Sequence, residues 1–142
     1  MRSTLISAVA VTAMIALVGC SSDSGESASA VNADACTQFA GAHDELTELT
    51  KAGPVGGDVD AWTAEKDASI AKLGPIGEQA TGTVQTGIQT LVQALPADSL
   101  ELTEVDSESG QAFVDNSAAV AASCESDGAA ITLAEFPLQS FN

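Results

Sequence analysis

The chain is short of almost everything that chemistry at a site ordinarily uses. Its 142 residues include no Tyr, one Trp, one His, two Met and three Cys, and 4 Lys and Arg stand against 20 Asp and Glu. At a net charge of −16, nothing could neutralise a row of phosphates, so a nucleic-acid partner is excluded. Electrostatic docking on anionic lipid is excluded for the same want of basic clusters. Nucleophilic catalysis has no constellation to work from, because there is no GxSxG and no His set beside a Cys or Ser motif. No CxxC spacing and no second His supply a metal or haem ligand set. Carboxylate pairs are inevitable among 20 acids and single out nothing. We therefore expect no enzymatic activity, no metal and no cofactor. The length allows one small domain.

Long apolar runs are scarce too, and the one present is informative. Met1-Arg2-Ser3-Thr4 carries one positive charge, and Leu5 to Val18 runs almost free of polar residues. That run is about two-thirds of what a bilayer-spanning helix needs. A basic start, a short apolar stretch and small residues at its end describe a secretory signal peptide. The segment Leu17-Val18-Gly19-Cys20 resembles the lipobox of bacterial lipoproteins, in which a small residue precedes an obligatory Cys.

That resemblance implies that the Cys20 thiol receives a diacylglycerol and that cleavage falls between Gly19 and Cys20. The protein would then be held by acyl chains on the extracytoplasmic face of the cell membrane, where two or more chains anchor stably. Beyond the lipobox, the composition resembles the small Ala/Thr-rich, Lys-poor lipoproteins of actinobacteria, many without an assigned role. We divide the chain accordingly into a signal peptide (1–19), a flexible Ser/Ala-rich tether (20–33) and a helical domain (34–142). The tether expectation rests on Ser21 to Ala30, where no large apolar residue could repay the entropy of ordering.

Export bears on the two remaining cysteines. In an oxidising compartment Cys36 and Cys124 are most simply a disulfide. Asp34 is expected to cap a first helix with Cys36, Phe39, Ala40, His43, Leu46 and Leu49 on one face, ended by Gly53-Pro54-Val55-Gly56-Gly57. A second helix, from Asp58 or Asp60 to Gly74-Pro75, should turn Val59, Trp62, Ser69, Ile70 and Leu73 inward. A third should carry Ile76, Ala80, Val84, Gly87, Ile88, Leu91 and Leu95 on a stripe as far as Pro96. Gly77, Gly82 and Gly87 weaken that helix by about 1 kcal/mol each relative to Ala, so packing must hold it. The last, capped by Ser107, carries Ala112, Phe113, Val120 and Cys124. The alternation in Ile131, Leu133 and Phe136-Pro137-Leu138 then predicts an extended tail laid on the bundle. The fold class is all-α, an up-down bundle of about four helices. In that topology the start of the first helix and the end of the last lie at one end, where a Cys36–Cys124 bond would close.

The candidate ligand-binding residues are few. His43 falls on the apolar face of the first helix, where a packed, hydrogen-bonded ring is the ordinary outcome. Trp62 is the largest aromatic side chain and reads first as a core anchor. The acidic connector holding Asp98, Glu101, Glu104, Asp106 and Glu108 could offer oxygen ligands to a hard cation, but its spacing is not an EF-hand's and a solvated face explains it. A core this rich in Ala and Gly and poor in aromatics either closes tightly or leaves a cleft for an apolar ligand. The leading functional expectation is a non-enzymatic, lipid-anchored envelope protein that contacts another envelope protein or the wall. The alternative is a carrier for a small apolar ligand or haem.

Overall fold

The computed structural model describes residues 24–138. The segment expected to be a signal peptide and the expected lipidation site at Cys20 lie outside them. The described chain is all-α: α1 (Ser24–Ala52), α2 (Val59–Ala71), α3 (Leu73–Gln79), α4 (Gly82–Ala94) and α5 (Glu108–Ser126), with short 3-10 helices at Val55–Gly57 and Ser99–Thr103. Lys72 keeps right-handed helical angles between α2 and α3, so these two form one bent arm. The bundle has four arms in sequence, as expected. An extended C-terminal segment follows them. Among the described residues no helix is long and apolar enough to cross a membrane.

The expected faces are largely the buried ones. Phe39, Leu46, Leu73, Ile88, Leu91, Leu102 and Val120 are closed to solvent, with Val84 and Phe113 beside them. Full burial of each large apolar side chain contributes roughly 1.5–3 kcal/mol. Cys36 and Cys124 are bonded, with Cα atoms 5.9 Å apart, so α1 and α5 meet at the end of the bundle that the topology required. Further along the same two helices, the His43 and Phe113 rings stack, which makes the pair antiparallel. Ser107 caps α5, its hydroxyl accepting from the Gly110 amide at 2.9 Å, and Asp58 caps α2 through the Ala61 amide at 3.0 Å.

Four expectations need correction. The first helix does not begin at Asp34, which sits inside α1; the helix starts at Ser24 and so occupies much of the expected tether. Tertiary contacts supply what the composition lacks. The Asn32 side chain accepts from the Thr81 amide at 2.8 Å and donates to the Thr81 carbonyl and to the Asp127 carboxylate, while the Ser29 hydroxyl donates to the Asp127 carbonyl at 3.2 Å. Asn32 thereby ties the start of α4 and the end of α5 to one turn of α1.

Gly74-Pro75 does not end a helix either. Both residues lie in the first turn of α3, where a missing proline N–H removes nothing that would have been bonded. The expected third helix is divided at Ala80-Thr81, and Gly82 takes φ +60°, a conformation that side chains resist. Finally, Val59 faces outward, and the inner face of α2 is polar, built from Lys66 and Ser69.

The C-terminal segment returns along the groove between α1 and α5. The Ala134 amide donates to the Asp44 carboxylate at 2.8 Å. Phe136 is buried, with its ring 4.8 Å from that of Phe113, and Ile131 and Leu133 pack against the core at partial exposure.

Candidate functional site

The tail does not lie flat on α5. Between them runs a half-open groove of about 790 Å³, with His43 in its lining. Such a volume is within the range of small-molecule sites. Helical periodicity builds one wall: Val114, Ser117, Ala118, Ala121 and Ala122 line it from α5. Three alanines in that row leave the space that larger side chains would fill. The tail supplies the other wall through Ile131, Leu133 and Phe136.

His43 is 3% exposed. Its ring lies parallel to Phe113 at 5.3 Å between centroids, and Nδ1 is 3.3 Å from the Asp44 carboxylate. Burial holds its pKa below the ordinary histidine value, against the opposing pull of Asp44. Asp44 has two duties, because the same oxygen accepts the Ala134 amide of the tail. The ring and the tail are thus fixed through one carboxylate.

Ser117 is 2% exposed and its hydroxyl has no hydrogen-bond partner. A buried polar group left in that state costs about 1–3 kcal/mol. Three charged residues also line the groove: Lys51, Glu125 and Glu135. Sequence reasoning placed His43 on the inward face but missed Ser117, the alanine row and the tail as a wall. The apolar alternation of the tail was visible, whereas its stand-off from α5 depends on where Asp44 and Phe113 hold it.

Trp62 belongs elsewhere. Its indole N–H donates to the Leu49 carbonyl at 2.7 Å, which ties α2 to the end of α1. The Lys66 ammonium sits 4.1 Å from the centre of its ring and 3.4 Å from the Thr103 hydroxyl. Lys66 is closed to solvent, and burial lowers its pKa despite the nearby charges of Asp67 and Asp98. The one sign of this lysine's burial legible beforehand is its position four residues after Trp62, on the same helix face.

In the acidic connector, Asp98 turns its carboxylate onto the Leu100 amide at 2.9 Å, capping the 3-10 helix that follows. Among the described residues no three His, Cys, Asp or Glu side chains are grouped so as to hold a metal ion. No protein-family model, curated protein or solved structure matches the chain.

Proposed function

We propose that this protein is a lipid-anchored extracytoplasmic binding protein that holds a small apolar ligand between α5 and the C-terminal tail. The lipobox-like segment ending at Cys20 supports the address. The groove carries the binding role: it is large enough for a small molecule, walled by alanines and by Ile131 and Leu133, and contains a buried hydroxyl without a partner. This favours the ligand-carrier reading over an envelope-protein contact module. Haem suits the groove poorly, because its two propionates would meet Glu125 and Glu135 with Lys51 as the one lining cation.

The test is non-denaturing mass spectrometry of the protein extracted gently from its own membrane. We expect a reproducible mass beyond the lipidated chain, which disappears in Ala121→Trp, a substitution that fills the groove from the α5 wall. A bare lipidated chain in the unsubstituted protein would overturn the carrier role. Cys20→Ser separately tests the anchor, and should move the protein out of the membrane fraction.

A further inference from the structure

The tail is held unevenly along its length. It leaves α5 through Gly128 at φ +85°, where the Ala129 amide donates to the Cys124 carbonyl at 2.8 Å. From Ala130 to Leu138, one hydrogen bond joins it to the rest of the described residues, the Ala134 amide donating to the Asp44 carboxylate at 2.8 Å. The rest of its hold is apolar: Phe136 is buried, while Ile131 and Leu133 are partly covered. A segment with so little backbone bonding opens at lower cost than the helices beneath it.

That single latch is shared with the one histidine. The oxygen that accepts the Ala134 amide also faces His43 Nδ1 at 3.3 Å, so tail backbone and imidazole are one oxygen apart. The imidazole lies on Phe113, and Phe136 of the tail packs on Phe113 in turn. The closed tail is thus part of the enclosure that leaves His43 3% exposed. Charge around the ring is sparse. Asp44, on α1, acts on it directly, whereas α5 meets it with the uncharged Phe113. Lys51 of α1, Glu125 of α5 and Glu135 of the tail line the same groove.

A proton added to His43 would put a cation among aromatic rings with one carboxylate beside it. Burial opposes that and holds the pKa below the ordinary 6.5, although Asp44 pulls the other way. With the tail lifted, water reaches the ring and the opposition goes. The lifted form therefore binds more protons than the closed one. Closure is at full strength above pH 6.5 and weakens as the pH falls below it. We propose that the C-terminal segment is a pH-released strap over the groove, latched on Asp44 and let go when His43 takes up a proton. Its use, discharge of an apolar ligand in acid surroundings, rests on the binding role proposed above; the strap itself does not.

Hydrogen exchange at the Ala134 amide reads the latch directly, in the whole exported chain with Cys20→Ser and no ligand added. Between about pH 7.5 and pH 5.5 histidine is the side chain that ordinarily titrates. Protection of Ala134, relative to an unstructured peptide at the same pH, is expected to fall below pH 6.5. The fall should reach at most about tenfold per pH unit, the limit set by one proton. The Ile88 amide, inside α4, should keep its protection, because it opens only with the bundle. His43→Phe keeps a ring beside Phe113 without a titrating nitrogen, and should hold Ala134 level across the range. His43→Gln gives the same reading should the Phe variant fail to fold.

Protection of Ala134 that stays level in the parent, or that falls as steeply in the His43 variants, would overturn the strap. A fall shared equally by Ile88 would overturn it too, since the whole bundle would then be loosening. Exchange is read with the groove empty, so a chain that carries no ligand from its membrane would remove the binding role and leave the strap standing.

Discussion

Lys66 is the residue whose placement runs most against its chemistry. A lysine closed to solvent gives up its hydration, and the face of Trp62 and the Thr103 hydroxyl replace it without a carboxylate in contact. Replacing such a charge by an apolar side chain of similar volume is often neutral or stabilising. Lys66→Met should therefore melt higher than the parent at pH 7. Burial holds the folded-state pKa below the ordinary lysine value of 10.5, so between the two values the unfolded chain binds more protons and parental stability rises with pH. The advantage of Met should shrink as the pH is raised toward 10.5, which thermal melts across that range would record. A parent more stable than Lys66→Met at pH 7 would show that the indole face outweighs the lost hydration. Residue-scale reading of the sequence captured His43, whose place on the apolar period foretold a buried ring. It did not capture Lys66, because a lysine in a helical pattern is taken for a solvent-facing one unless its neighbours in space are known.

At the scale of elements, glycine decides how closely the helices approach. The three glycines of the expected third helix look alike in sequence, yet they do different things. Gly82 supplies the left-handed turn that separates α3 from α4. Gly77 and Gly87 are points of contact: a Cβ at Gly77 would stand 2.9 Å from a methyl of Ile88, and one at Gly87 would stand 3.3 Å from Val120. Gly41 in α1 has open space where its Cβ would go. Opposite effects follow for one kind of substitution. Gly41→Ala should stabilise by about 0.5–1 kcal/mol through helix propensity, and Gly77→Ala should destabilise by about 1–3 kcal/mol through overpacking. Urea denaturation of the two variants beside the parent checks both signs. Helix existence and most caps were legible because Asp58, Ser107 and Gly53 act locally. The early start of α1 was not, because it depends on Asn32 meeting Thr81 and Asp127, residues far away in the sequence.

For the whole molecule, the disulfide is the feature that sequence and structure share most fully. Its position followed from two cysteines and an even number of arms, and needed no knowledge of side-chain packing. The groove is the opposite case, since it exists only through the path of the tail once Phe136 and Asp44 have fixed it. The bond closes a loop with a sequence separation of 88. In the chain-entropy account, Cys36→Ala/Cys124→Ala should cost about 4–5 kcal/mol, measurable as a lower denaturation midpoint. The same bond also decides how the molecule carries load. If the chain is held at its N-terminal end and pulled at its C-terminal end, tension enters at Cys36 and leaves at Cys124 without stretching the backbone between them. The tail can peel away and the first turns of α1 can unwind, while the interior of the bundle hangs slack beside the line of force. Reduction would release those 88 residue steps, roughly 300 Å of contour at full extension. The bond is thus a limit on how far the chain can be drawn out from a surface.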